Sequence, residues 1–163
     1  PLDEPVFNGN EKIYVNDCFK KGWISWQGDY VKKFENKFSS IIGCKYGLST
    51  ANGTDAIILA LKSLNIKKGD EVITIGYGPP AIVGPITFLG ATPKFIDINR
   101  YGSMDCTQLD SALTKNTKAV IAIGLYGDMY DHEIVDKFCR TNKLHYINDA
   151  NQHLYRHTCL VEH

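Results

Sequence analysis

The sequence predicts an α/β protein: a three-layer α/β/α arrangement around a mostly parallel sheet. Three observations carry that expectation. Short β-prone runs alternate with amphipathic helical runs from residue 46 onward. One run, Ala119-Val120-Ile121-Ala122-Ile123, is apolar without alternation, the pattern of a strand buried on both faces. Turn signals such as Lys68-Gly69-Asp70 and Gly90-Ala91-Thr92-Pro93 separate the runs at βα spacing.

Taken in order, residues 9–21 carry Ile13, Tyr14, Val15, Cys18 and Phe19 among polar positions and predict a first helix. Gly22 to Gly28 breaks it, and we read Trp23 and Trp26 in that loop as core. A second helix is expected from Asp29, its cap, to Ile42, with Val31, Phe34, Phe38, Ile41 and Ile42 on one face and Gly43 as its stop. Strand Tyr46–Thr50 then leads into helix 54–64. Strand Glu71–Ile75 follows, then an irregular piece, Gly76–Gly84, and a short helix ending near Leu89. Strand Lys94–Ile98, a helical stretch over 106–114, strand Lys118–Gly124, helix Asp131–Thr141 and strand Leu144–Ile147 complete the pattern. The organisation is a single domain over 1–163: an N-terminal helix and loop (1–28), a βα core (29–152) and a divergent tail (153–163).

Composition narrows the function. The chain has 163 residues, 44% apolar and 22% charged, which is ordinary for a globular domain with a real core. Eighteen basic residues balance eighteen acidic ones, so nothing favours nucleic acid or an anionic membrane as a partner. No apolar run reaches the length of a membrane span. Pro1 to Asn10 has neither a basic start nor an apolar core, so no signal peptide is read. The cysteines, Cys18, Cys44, Cys106, Cys139 and Cys159, form no CxxC pair. We read them as free thiols in a reducing compartment, with a cytoplasmic location.

Two stretches carry candidate chemistry. Asn52-Gly53-Thr54 is a polar turn before a helix with Ile57, Ile58, Leu61 and Leu64 at helical spacing. Asn52 or Thr54 can cap that helix, whose unpaired N–H groups suit a phosphate. Its bland reading is an ordinary capped turn. The second stretch is Asp149-Ala150-Asn151-Gln152, at the end of a strand, where parallel sheets carry ligands. A carboxylate at one strand end and a phosphate cradle at another suit a cationic heteroaromatic ring bearing a phosphate, such as pyridoxal phosphate (PLP). Gly76-Tyr77-Gly78 runs into Pro79-Pro80 and lacks the GxGxxG continuation of a dinucleotide binder.

The order of these pieces resembles the DegT/StrS sugar-nucleotide aminotransferases, which are fold-type I PLP enzymes. The resemblance runs from about Asn8 to Gln152. It is carried by Asn8-Gly9-Asn10-Glu11-Lys12, Gly22-Trp23-Ile24-Ser25, Phe34-Glu35, Asn52-Gly53-Thr54-Asp55-Ala56 and Gly69-Asp70-Glu71-Val72-Ile73. Leu89-Gly90-Ala91-Thr92-Pro93 before Asp97, Leu125-Tyr126-Gly127, and Asp149-Ala150-Asn151-Gln152 complete it. The look is nearest to the perosamine-forming branch. The resemblance implies that Asn52, Gly53 and Thr54 hold the cofactor phosphate and that Asp149 pairs with the pyridine nitrogen. It places Gln152 near the phenolic oxygen and leaves Tyr77 as the residue to stack on the ring. It further implies a nucleotide-linked keto-sugar as acceptor, glutamate as amino donor, and a homodimer.

Two departures accompany the resemblance. The family's Thr–aromatic pair falls at Gly78-Pro79. The lysine that carries the cofactor is expected beyond His163, and none of Lys115, Lys118, Lys137 or Lys143 sits on a replacing motif. The expectation is therefore a truncated domain without a catalytic residue of its own, inactive alone, in which PLP binding is weak or lost. The alternative is a non-catalytic remnant or interaction module that keeps the fold. His153, His157, Cys159 and His163 form a possible zinc set in the tail, read as incidental. Asp128, Asp131, His132 and Glu133 are read as a solvated loop and helix start.

Overall fold

The computed structural model describes residues 4–127, 130–152 and 161–162. The elements run α1 (Glu11–Lys21), α2 (Asp29–Ile42), α3 (Gly53–Ser63), β1 (Glu71–Ile75), α4 (Val83–Phe88), β2 (Thr92–Ile96), α5 (Leu109–Ala112), β3 (Thr117–Ile123), α6 (His132–Asn142), β4 (His145–Asp149) and β5 (Val161–Glu162). The sheet order is β2-β1-β3-β4-β5. The first four strands are mutually parallel and β5 runs antiparallel to β4. With helices flanking it, this is the expected three-layer α/β/α architecture.

The core lies where the apolar runs placed it. Val120, Ile121, Ala122 and Ile123 of central β3 are wholly buried, as are Val72 and Ile73 of β1. Helix α3 presents Ile57 and Leu61 to that core, one turn apart. Leu61 is fully buried, and truncating such a leucine to alanine costs about 2–5 kcal/mol. Side chains close the helix starts: Asn52 Oδ1 accepts from the Asp55 N–H at 2.9 Å, and Asp131 Oδ1 from the Ile134 N–H at 3.2 Å.

Several expectations change. Tyr46–Thr50 is not a strand. β-prone residues need a neighbouring strand, and among the described residues none lies beside this segment. It is held instead by Glu35, whose Oε1 accepts from both Ser49 N–H and Ser49 Oγ at 2.9 Å. These bonds hold the Glu35 carboxyl below its usual range, the backbone bond first. Gly47 permits the approach, because a Cβ there would sit 2.6 Å from the Glu35 carbonyl oxygen. The cap of α2 is Gly28, and Asp29 is its first helical residue. The tryptophans are not core: Trp23 is 52% and Trp26 78% exposed. The apolar face of α2 is likewise open, with Phe34 and Ile41 exposed and Ser39 the helix's one buried residue. Periodicity shows that a face is apolar and not what covers it. Strand β2 begins two residues earlier than expected, and β4 extends through Asp149. Cys18, Cys106 and Cys139 are free thiols, but Cys44 is in a disulfide. A pairing made by the fold leaves no CxxC-like spacing in the sequence.

Candidate functional site

Sheet topology locates the site first. The chain passes from β1 to β2 on one side and then crosses to β3 on the other. The crevice beyond the C-terminal ends of β1 and β3 is therefore a topological switch point, where open α/β sheets bind ligands. Three segments meet this edge: Gly76–Gly78 after β1, Gly124–Gly127 after β3, and Asp149–Gln152 at the end of β4. Gly78 lies against Leu125, to whose Cδ1 an added Cβ would come within 3.4 Å. Ile123 pairs with Asp149 across the β3–β4 ladder.

Asp149 is 8% exposed at the last position of β4, and its Oδ1 accepts from the Asn151 N–H at 3.3 Å. Gln152 is fixed differently: its Oε1 accepts the Tyr126 N–H at 2.7 Å, while the residue itself remains exposed. Tyr126 holds a left-handed backbone, φ 55°, which a bulky residue adopts only where the surroundings enforce it. With the carbonyl end of Gln152 engaged, its NH2 end is the one turned to other partners. Sequence reading noted Tyr126 within a motif but missed this backbone role, for which no side-chain type signals.

The Asn52–Thr54 turn opens helix α3. Helix α3 connects through residues 64–70 to the start of β1. Asn52 is confirmed as the cap. The N–H groups of Gly53 and Thr54 make no hydrogen bond among the described residues, and a Cβ on Gly53 would meet nothing within 4 Å. No hydrogen bond among the described residues links this turn to Tyr77, Asp149 or Gln152.

Tyr77 is 47% exposed and lines an open cleft with Phe95, Asp97 and Gln108, beyond β1 and β2. Central β3 separates β1 from β4, so Tyr77 belongs to the β1–β2 side of the edge. Gly78 has φ 123° and little room for a side chain, because Ile82 Cδ1 would lie 3.2 Å from a Cβ. The backbone here has taken a course that a threonine could not follow. Asp131 caps α6 as a helix start does, but His132 is half-buried and bonded to buried Tyr146, so it is not part of a solvated loop. His153, His157, Cys159, His163 and Asp128 lie outside the described residues. Among the described residues no cluster is suited to a metal ion, and no helix is long and apolar enough to cross a membrane.

Residues 6–158 match the DegT/DnrJ/EryC1/StrS aminotransferase family. The chain belongs to that family. It is 39% identical to the GDP-perosamine synthase of Escherichia coli O157:H7 over 151 residues, covering 92% of this chain and 42% of that one. It superposes on the aminotransferase from Psychrobacter cryohalolentis with a TM-score of 0.86 at 28% identity, over 91% of this chain and 38% of the other. NtdA from Bacillus subtilis, solved with bound cofactor PMP, gives a TM-score of 0.85 at 28% identity, over 94% and 36% of the two chains. The chain thus spans about two fifths of the length of the curated relatives it matches.

Proposed function

We propose that this chain is the cofactor-holding portion of a PLP-dependent aminotransferase that acts on a nucleotide-linked keto-sugar, with glutamate as amino donor and a second subunit completing the site. The observation that carries the proposal is the buried carboxylate of Asp149 at the switch-point edge. The chemistry of the donor set fits the group. The N-terminal turn of α3 offers two unclaimed N–H groups and open space beside Gly53 for a phosphate. Asp149 offers the anion that a pyridinium nitrogen needs, and Gln152 offers an NH2 donor for the phenolic oxygen. When bound, PLP supplies an electron sink for the amino-group carbon. The chain's own work is to hold and orient: Asp149 keeps the ring nitrogen protonated, and Tyr126 fixes Gln152. The substrate classes are supported by the family and by relatives named for GDP- and UDP-sugars.

The second reading, a non-catalytic module with the same fold, is favoured by Gly78-Pro79, where the ring-stacking aromatic is absent. The two separate on one titration. Under the first reading the purified chain quenches or shifts PLP fluorescence saturably, and Asp149→Ala weakens this about tenfold or more. No saturable binding, or binding indifferent to Asp149→Ala, favours the second.

A further inference from the structure

We infer that Tyr130 and Tyr146 are positioning residues for Asp149, anchoring the end of β4 through Asn148 in a one-way chain of hydrogen bonds that starts at His132. The functional meaning rests on the proposed assignment of Asp149, but the chain itself is read from geometry alone. Along β4 the side chains alternate, so Tyr146 and Asn148 share one face and Ile147 and Asp149 the other. The Tyr130 hydroxyl lies 2.6 Å from Asn148 Oδ1 and 2.6 Å from the Tyr146 hydroxyl, which lies 2.7 Å from His132 Nδ1.

Counting protons gives the chain a direction. Tyr130 has one hydroxyl hydrogen and donates it to Asn148 Oδ1. The Tyr130–Tyr146 contact must then be filled by the Tyr146 hydrogen. Tyr146 oxygen is left as acceptor toward His132, so His132 Nδ1 bears a proton. Donation runs from His132 to Tyr146, to Tyr130, to Asn148. Tyr130, Tyr146 and Asn148 are at most 4% exposed, so water does not compete for these bonds.

The chain reaches the end of β4 through Asn148, the residue before Asp149. Among the described residues, β5 pairs with Tyr146 and Ile147, and the ladder neighbour of Asn148 and Asp149 is β3. Asn148 Nδ2 is buried without a partner among the described residues, so the Tyr130 hydroxyl is the bond that fixes this side chain. Removing that hydroxyl leaves the whole Asn148 amide unpaired in the interior. The strand end then shifts or loosens, and Asp149 moves with it.

The test is NMR of the 163-residue chain. In the wild type the His132 ring nitrogens report the Nδ1–H form, and Tyr146→Phe releases the ring to the Nε2–H form. The Asp149 carboxyl carbon, assigned by its loss in Asp149→Asn, titrates with a midpoint that moves by about half a pH unit or more in Tyr130→Phe. It stays in place in Ile57→Val, a core truncation on α3 that loosens the fold away from the chain. An Nε2–H ring in the wild type, or an unmoved Asp149 midpoint in Tyr130→Phe, overturns the proposal. If Tyr130→Phe fails to fold, the same midpoint is read in Tyr146→Phe: a shift supports the proposal and an unmoved midpoint overturns it. Neither readout uses PLP, so a wild-type chain that binds no PLP counts against the proposed function and leaves this inference to be decided by the NMR.

Discussion

The backbone N–H of Tyr126 donates to Oε1 of Gln152 at 2.7 Å, joining the ends of two adjacent parallel strands across the switch-point edge. The bond sets which end of the Gln152 amide is offered outward. Gln152→Glu keeps an acceptor for Tyr126 but replaces the NH2 donor with a second carboxylate oxygen. PLP affinity is expected to fall about tenfold in that variant, with thermal stability nearly unchanged, as measured by fluorescence titration and calorimetry. An affinity equal to wild type would show that the NH2 group contacts nothing on the ligand.

The α3 cap and the turn beside it separate stability from binding. Asn52→Ala removes the Asp55 N–H bond and is expected to cost about 1 kcal/mol, while Asn52→Asp keeps most of it. Gly53→Ala meets nothing within 4 Å and should change stability by less than about 0.5 kcal/mol. Gly78→Ala enters a left-handed backbone beside Ile82 and is expected to cost more than about 1 kcal/mol. Urea denaturation of the four variants orders these costs. A destabilising Gly53→Ala would show that the open space beside the turn is filled.

Alkaline pH should weaken the fold. Burial pushes the Cys139 thiol up to about 12, and burial raises the Tyr130 phenol as well. Both groups are neutral in the native state, and the unfolded chain releases their protons at lower pH. Their contribution is therefore whole below about pH 8.5, the ordinary thiol value, and is lost as pH rises toward the native values. Urea midpoints at pH 7, 9 and 10.5 should decline, and Cys139→Val should flatten the first part of that decline. A midpoint that rises with pH would reverse the assignment.

The N-terminal helices should make the chain associate. Phe19, Trp23, Trp26, Phe34 and Ile41 are all more than half exposed on α1, α2 and their connection. Exposed apolar surface of this kind favours self-association. Light scattering is expected to show a mass that rises with concentration, and Phe34→Ser with Ile41→Ser to lower it. A monomer across a wide concentration range would show that this face is not adhesive.

Turnover by the 163-residue chain alone is expected to be absent. Lys115 and Lys118 lie at the start of β3 and Lys143 just before β4, at the edge opposite Asp149, and Lys137 is on α6. None of them reaches the candidate site. Borohydride treatment after incubation with PLP should leave no single lysine specifically labelled. A unique labelled lysine, whose substitution abolishes the label, would place a cofactor lysine within this chain.

Much of this was legible in the sequence because it is local or periodic. Strand Glu71–Ile75 follows from a β-prone run after the Lys68-Gly69-Asp70 turn, and helix Asp29–Ile42 from 3.6-residue spacing and flanking glycines. The burial of β3 follows from an apolar run that no solvated strand could carry. Asn52 as the cap of α3 and Asp149 at a strand end were legible because a helix start and a parallel strand end follow from local sequence. What the tertiary structure alone decided depends on which segments become neighbours. Tyr46–Thr50 has the residues of a strand but, among the described residues, no strand beside it, and the bonds between Glu35 and Ser49 fix it instead. Trp23 and Trp26 have the residues of a core, yet among the described residues no element buries them. Tyr130, His132, Tyr146 and Asn148 read singly as ordinary polar positions. Folding α6 against β4 sets four of their atoms within hydrogen-bond reach, and buried hydrogen bonds depend on that juxtaposition, which composition and periodicity do not encode.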